Sequence, residues 1–317
     1  MPSCSKCPAP SVVHLRYAGT HLCRDHFLRF FDERAKKEVA KQGRLPEGTI
    51  AVALSGGKDS VSALHFMRRL IDGRPGVRLA AITVDEGIAG YRDSALDICR
   101  RVTDEWDIPW HLVRTKDLAG YAIDEYAAGT SGAKGETLPV APRPACGACG
   151  VFRRAGMNRL ARDIGASAVV TGHNLDDQAQ TVLMNTLRGD LERAARLAPH
   201  TAADAAHHPG LVPRILPFKG IPEKEVLLYA VLHGLPLHHE AECPYAARSH
   251  RFLLRDMLVK LEEHSPGTRH ALVKGAERLK PILQAALPAM SVASCPECGE
   301  PTSGEVCVAC TMKASRS

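Results

Sequence analysis

The sequence predicts an α/β protein built on a parallel sheet, with a small cysteine-rich module at either end. Three observations carry that prediction. Near-continuous apolar runs, Ile50 to Leu54, Val77 to Asp85, Trp110 to Val113 and Ser167 to Thr171, alternate with helical stretches, the pattern of strands covered on both faces by crossover helices. The run Ser55-Gly56-Gly57-Lys58-Asp59-Ser60 falls between the first of these strands and the first helix, where open parallel sheets bind ligands. Cysteines stand pairwise at two-residue spacing near both termini, the pattern of small metal-stapled folds.

Taken in order, residues 1–30 read as an N-terminal zinc-finger module and 31–48 as a charged helical linker punctuated by Pro46 and Gly48. The main domain spans 49–290. After the strand Ile50 to Leu54, Val61, Leu64, Met67, Leu70 and Ile71 repeat with helical period. The strand to Asp85, a helix from Arg92 to Trp106 and the strand from Trp110 follow. Lys116 to Ala145 is the longest loop of the first half, and long loops in compact domains are usually functional. A helix Cys149 to Ile164, the strand from Ser167 and a helix Asp176 to Leu187 resume the alternation. Ala198 to Pro213 reads as a surface excursion with a solvated His207-His208 pair. Helices Glu223 to His233, Arg248 to Leu261 and Thr268 to Ala286 lead to a second cysteine module, 291–317.

With 317 residues, 45% hydrophobic and 24% charged, the chain has the composition of a globular protein. Its net charge of +6 suits a polyanionic partner. With no apolar run of membrane-spanning length and no signal-like segment, no membrane association and a cytoplasmic location are expected. In that compartment eleven cysteines do not read as a disulfide framework.

The Gly56-Gly57 turn lets backbone approach an anion closely, and the helix N-terminus behind it favours negative charge. A nucleotide is the expected ligand. The spacing departs from G-x-x-x-x-G-K-[ST], so the kinase or GTPase type of loop is excluded. A plain surface turn is the alternative, against which stand the strand before it and the periodic helix after it.

Cys4-x2-Cys7, fifteen residues, then Cys23-x2-His26 offers one tetrahedral zinc site. Cys295-x2-Cys298, eight residues, then Cys307-x2-Cys310 offers a second, with Gly299 and Gly304 for its turns. Both are closed sets and therefore structural. Cys146-x2-Cys149 has only Cys243 to join it, Cys99 reading as a core residue. Three thiolates fit a zinc with an open position, an iron-sulfur cluster with one unligated iron, or a redox dithiol. The residues leave those three open.

With Ser55 to Ser60, Cys146-x2-Cys149, Thr171-Gly172-His173-Asn174-Leu175-Asp176-Asp177 and both terminal modules in hand, the chain resembles the PP-loop tRNA 2-thiouridine synthetases along essentially its whole length. Cys149 to Arg154 and Thr181 to Asp190 look like the archaeal and eukaryotic branch that thiolates the wobble uridine. The resemblance implies a PP-loop, adenine nucleotide alpha hydrolase-like ATP pyrophosphatase domain flanked by zinc modules. It implies ATP adenylation of a uridine C2 oxygen, pyrophosphate release and displacement of AMP by sulfur. By family position, Ala53, Leu54, Ser55, Gly56, Gly57, Lys58, Asp59, Ser60, Val84, Arg153, Gly172 and Asp177 would bind ATP, with Asp59 and Asp177 holding Mg2+. Cys146, Cys149 and Cys243 would hold an oxygen-sensitive 4Fe-4S cluster and, with Lys58, Asp59 and Asp177, form the catalytic set. Arg153 stands where the T-loop branch has a lysine, so a proton-transfer role does not carry over. Asp176 and Asp177 also suit a helix N-terminus simply by charge. The implied partners are tRNA and a sulfur donor, either a ubiquitin-like carrier thiocarboxylate or sulfide, with a homodimer as the family habit. The competing readings are T-loop uridine 54 thiolation, a tRNA lysidine synthase-like adenylating enzyme, and a non-catalytic zinc-ribbon tRNA-binding protein.

Overall fold

The computed structural model describes residues 2–131, 136–137, 144–197, 210–237, 243–246, 250–287 and 292–314. His207 and His208 lie outside them.

The N-terminal module is a hairpin, β1 (Val13–Leu15) and β2 (Thr20–Leu22), closed by a 3-10 turn that Gly19 ends in the left-handed region. Cys23 then caps α1 (Arg24–Lys41). Phe27, Phe31, Ala35 and Val39 recur every fourth residue, so one stripe of α1 is buried. Phe31 stacks on Tyr229 at 4.3 Å and meets Phe218 at 5.3 Å. The helix runs unbroken through residue 30 and lays the cysteine module onto the main core.

β3 (Gly48–Ala53), α2 (Lys58–Ile71), β4 (Val77–Asp85), α3 (Arg92–Glu105) and β5 (Trp110–Arg114) follow. Next come α4 (Thr115–Ala119), α5 (Ile123–Ala128), a two-residue pair β6 (Thr130–Ser131) and β7 (Glu136–Thr137), and α6 (Ala145–Asp163). β8 (Ala166–Val170), α7 (Leu175–Leu187), α8 (Leu191–Ala195), β9 (Arg214–Ile215) and α9 (Glu223–Leu232) complete the α/β body. α10 (His250–His264) and α11 (Thr268–Ala286) form a helical pair on α7, and β10 (Ala293–Ser294), β11 (Pro301–Thr302) and α12 (Val308–Ala314) make the C-terminal module. Among the described residues, no helix is long and apolar enough to cross a membrane.

The sheet is parallel throughout, in the order β5-β4-β3-β8-β9. Alternation along β3 sends Ile50 and Val52 to the core shared with α1, α2 and α9, and Ala51 to the core under α6. Chain order reverses between β3 and β8, which creates a crevice at their C-terminal ends.

Two features differ from expectation. The supposed loop from Lys116 holds α4 and α5, each ended by a glycine, Gly120 or Gly129, in the left-handed region; helices this short never complete an apolar period. α6 starts at Ala145 rather than Cys149, with Pro144 as its N-cap, so both cysteines ride on a helix.

Candidate active site

At the crevice, β3 delivers Ala53 and Leu54 into a turn in which Gly56 has φ +83°. A Cβ there would lie 2.2 Å from the Ala95 carbonyl oxygen, so α3 packs directly onto the turn. Ser60 staples it: its hydroxyl donates to the Gly57 carbonyl at 2.8 Å and accepts from the Ser55 N–H at 3.1 Å. Ser55 N–H is thus engaged, and Ser60 N–H bonds the Gly57 carbonyl at 3.1 Å, which leaves the Lys58 and Asp59 N–H groups at the start of α2 as the type of donor that helix N-termini offer to anions.

From the other wall, β8 leads through Thr171, Gly172 and His173 to Asn174, the N-cap of α7. Asn174 Oδ1 accepts from the N–H groups of Asp176 and Asp177 at 3.0 and 3.1 Å, and Asp177 Oδ2 accepts from Asn174 N–H at 3.1 Å. This reciprocal box fixes Asp177. Asn174 Nδ2 also donates to Asp59 Oδ1 at 3.3 Å, tying the two walls together. His173 bonds Thr171 Oγ1 through Nδ1 at 2.9 Å, and burial depresses its pKa.

Lys58 Nζ lies 3.0 Å from Asp59 and 2.6 Å from Glu223. Burial works against its charge, yet the two carboxylates hold it up at about 12. Asp59 is pushed up to about 6, chiefly by burial, with Asp177 and Glu223 adding to the rise and Lys58 opposing it. One ammonium among three carboxylates gives a place for phosphate and for a hard divalent cation. Asp176 is not part of it. It is buried against Arg269 and accepts the Glu223 N–H at 2.8 Å, so it caps α9 rather than facing the crevice.

Sequence reasoning missed Glu223 and a buried pair beneath the turn. Arg92 Nε lies 2.8 Å from Glu86, both nearly inaccessible to solvent. The same guanidinium donates to the carbonyls of Ser55 at 3.1 Å and Val84 at 3.2 Å. Glu86 also lies 3.8 Å from Arg153. An acidic residue at the end of a parallel strand was the available signal, since that edge is where such sheets bind ligands.

Arg153 leads to the central cysteines. Cys146 and Cys149 are one turn apart on α6; Cys146 Sγ donates to the Tyr245 carbonyl at 3.1 Å, beside Cys243. Around them lie Ile88, Tyr121, Ala148 and Phe152. Burial pushes the Cys149 thiol up to about 12, against the pull of Arg153, and raises Cys146, with Cys243 adding. Left to themselves these are thiols; a soft metal centre would deprotonate them. The terminal sets and Cys99, buried under Leu54, account for the other cysteines. Cys146, Cys149 and Cys243 are not drawn within 4.8 Å of one another as the terminal sets are; Cys149 and Cys243 pack on one apolar cluster, and the donor chemistry of the three thiols suits a soft centre with one open position.

Residues 30–261 match the family model described as the PP-loop domain, and residues 3–28 match that of the 2-thiouridine synthetase TtuA N-terminal LIM domain. The chain is 37% identical over 322 residues to the tRNA 2-thiolation protein NcsA of Haloferax volcanii, covering 98% of this chain and 97% of that protein. The chain belongs to the PP-loop tRNA 2-thiouridine synthetase family. A second relative is the cytoplasmic tRNA 2-thiolation protein 1 of Bos taurus, 39% identical over 314 residues, 98% of this chain and 87% of that one. The solved structure of the U34-tRNA thiolase NcsA from Methanococcus maripaludis with its 4Fe-4S cluster superposes with a TM-score of 0.80 at 32% identity, covering 99% and 96% of the two chains.

The terminal modules of this family member each gather four ligand atoms within 4.8 Å of one another. In the first, Cys4, Cys7 and Cys23 surround His26 Nδ1 at 3.5, 3.5 and 3.3 Å. Burial opposes ionisation of Cys4, but N–H groups of Cys23 and Lys6 bring it down to about 6. In the second, Cys295 is brought down to about 6 in the same way, by the N–H groups of Cys307 and Glu297. In each module the surrounding N–H groups thus favour the thiolate, the form that binds a metal.

Proposed function

We propose that this PP-loop protein is an ATP-dependent tRNA-uridine 2-sulfurtransferase acting on wobble uridine 34. The uridine C2 oxygen attacks the α-phosphorus of ATP as the bond to pyrophosphate breaks. Sulfur at the sulfide level then adds to C2 as the C2–O bond breaks and AMP leaves with the oxygen. No net redox change occurs. The observation that carries this reading is the convergence of Lys58, Asp59 and Asp177 on one crevice, joined to three thiols through Arg92, Glu86 and Arg153. The likeness to proteins named for tRNA 2-thiolation supports the reaction, and the likeness to a U34-tRNA thiolase supports the wobble position. The bovine relative's name supports a cytoplasmic location.

In this reading the turn from Ser55 to Lys58 receives the phosphates, and Lys58 exchanges Glu223 for them. Asp59 and Asp177 hold Mg2+, which offsets phosphate charge. The backbone at Ala53 and Val84 flanks the adenosine, with Arg92 fixing the Val84 carbonyl. Positioning and electrostatics account for most of the activation. Cys146, Cys149 and Cys243 hold a 4Fe-4S cluster, whose chemistry when bound is to offer sulfide-level sulfur a soft Lewis-acid site. Arg153 keeps a fixed cation beside Cys149, and zinc staples both terminal modules. The sulfur donor is sulfide or a carrier thiocarboxylate, and the assembly is a homodimer.

Mass analysis of nucleosides in tRNA from a deletion strain tests the reading. Loss of 2-thiouridine at position 34 is expected; loss at 54 instead moves the enzyme to the T-loop, and no loss overturns thiolation. Pyrophosphate release from ATP and tRNA, with and without sulfide, separates it from lysidine-type adenylation and from a non-catalytic binder.

A pH dependence follows from Asp59. Its carboxyl is raised in the fold from 3.8 to about 6, so its contribution to stability is full below 3.8 and is lost as pH rises through about 6. Near neutrality the ionised group is a cost that a bound cation offsets. Mg-ATP affinity, measured by calorimetry, should fall about tenfold between pH 7 and pH 5; a flat profile would separate Asp59 from the cation.

A further inference from the structure

The C-terminal module has a small core of its own, made of Cys295, Cys307 and Cys310. Met312, two residues after the last of these, belongs to a different one. It is 4% exposed and sits in the apolar cluster with Tyr121, Tyr126 and Phe152, while Ala309, one turn earlier on α12, packs against the same cluster. Cys149 and Cys243 pack on that cluster as well. One hydrophobic body therefore joins the C-terminal module to two of the three central thiols.

The individual contacts trace that body. Tyr121, between α4 and α5, donates its hydroxyl to the Met312 carbonyl at 3.4 Å, and its ring meets Phe152 edge-on at 5.7 Å. Phe152 lies three residues past Cys149 on α6, so the two share a face of that helix. Two aromatic rings thus link Met312 to the turn that carries Cys149. The third thiol is tied in through Tyr245, which packs on the cluster, accepts from Cys146 Sγ through its carbonyl at 3.1 Å and donates its hydroxyl to Asp124 on α5 at 2.7 Å.

Polar contacts fix the module on the same helix. Glu300, 9% exposed, accepts from Asn158 Nδ2 at 2.9 Å and lies 2.6 Å from Arg162, which also donates to the Gly299 carbonyl at 3.1 Å. Asn158 and Arg162 stand on the C-terminal half of α6, and Cys146 and Cys149 on its first turns. The module grips one half of α6 and buries a methionine beside the other.

A closed four-ligand set needs no side chain in a neighbouring core. We propose that Met312 is a positioning residue for the central thiols, a plug by which the C-terminal module completes the apolar wall of their pocket and keeps water and small polar reagents from Cys149. An apolar shell of this kind governs solvent access to a soft metal centre. The effect on a bound centre rests on the iron-sulfur reading above; the closure of the wall beside the thiols does not.

The test uses the full-length protein as wild type, Met312→Ala and Met312→Leu. In air-bleached, phosphine-reduced protein, iodoacetamide labelling read by mass spectrometry follows each cysteine separately. Met312→Ala should label Cys149 about tenfold faster than wild type, because the cavity it leaves lets the wall open locally. Cys99, buried in the main core, and Cys310, inside the closed set, should stay unlabelled. Met312→Leu should return the rate to that of wild type, since it refills most of the volume. In protein loaded and purified without oxygen, the visible absorbance of Met312→Ala should bleach several-fold faster on exposure to air. An unchanged Cys149 labelling rate in Met312→Ala would overturn the proposal and, in a wild type that holds iron, leave the cluster reading intact. Equal acceleration at Cys99 would show general loosening of the fold and overturn it too. Labelling that depends on Met312, in a protein whose wild type retains no iron, would keep the plug and remove the cluster.

Discussion

Cys149→Ala, prepared without oxygen, is expected to lose its brown colour and iron content and to lower tRNA thiolation at least a hundredfold. ATP binding should survive. Burial beside the apolar cluster of Ile88, Tyr121 and Phe152 pushes the Cys149 thiol up to about 12, so the pocket disfavours a free thiolate. Such a site holds its thiolates only while a metal centre shares their charge. Removing one of three ligands from a set with no fourth cysteine leaves two, too few to retain the centre. The crevice proposed for the nucleotide is built from other elements, β3, α2, β8 and α7, and among the described residues the chain Arg92, Glu86 and Arg153 leads from it toward the thiols. Pyrophosphate release in the presence of tRNA should therefore persist in the variant. Equal loss of both steps would mean that α6 shapes the nucleotide site as well, and wild-type thiolation would remove the cluster from the mechanism. Iron and acid-labile sulfide assays, with single-turnover pyrophosphate release, separate these outcomes.

The separation of crevice and thiols also explains what could be read from sequence. β3, β4 and β8 announced themselves because strands buried on both faces must be apolar along their whole length. The Ser55 to Ser60 turn was legible because its chemistry is contiguous. Asp177 was found for the same reason, within one short motif, although the structure gives its neighbour Asp176 to a different helix. Glu86, Arg92 and Glu223 escaped because their meaning lies in contacts across the fold. Arg92 looked like an ordinary charged residue at the start of α3, yet it is 4% exposed and joins the Ser55 carbonyl of the turn to the Val84 carbonyl at the end of β4. Its loss would leave Glu86 buried and unpaired, a destabilisation of about 3–5 kcal/mol for pairs of this kind. β9 escaped for another reason. Two residues cannot show a period, and this strand exists through bonds to β8, Val169 N–H to the Pro213 carbonyl and Thr171 N–H to the Ile215 carbonyl.

Gly172→Ala is expected to reduce Mg-ATP affinity about a hundredfold, about 2.7 kcal/mol, with the fold retained. A Cβ on Gly172 would lie 2.6 Å from the carbonyl carbon and oxygen of Asp59 and 3.0 Å from the Ser60 nitrogen. Those are backbone atoms of the first turn of α2, which no rotamer change can move aside. The β8 wall would have to withdraw from the α2 wall by the better part of an ångström. That withdrawal stretches the Asn174 bond to Asp59 and parts the two carboxylates proposed to hold the cation. Gly57→Ala makes the informative contrast. Gly57 sits at φ −77°, which any residue adopts, and the nearest atom to a new Cβ is the Ser55 hydroxyl at 3.6 Å. The protein itself has no need of glycine there, so this variant should melt like wild type. If the phosphates approach the backbone at this turn, it should nonetheless bind ATP poorly, because the methyl group occupies the ligand's place. Calorimetric ATP titration with parallel thermal melts of both variants decides the matter. Unimpaired binding by Gly57→Ala would place the phosphates elsewhere in the crevice, and unimpaired binding by Gly172→Ala would mean that the contact between the two walls is not what shapes the site.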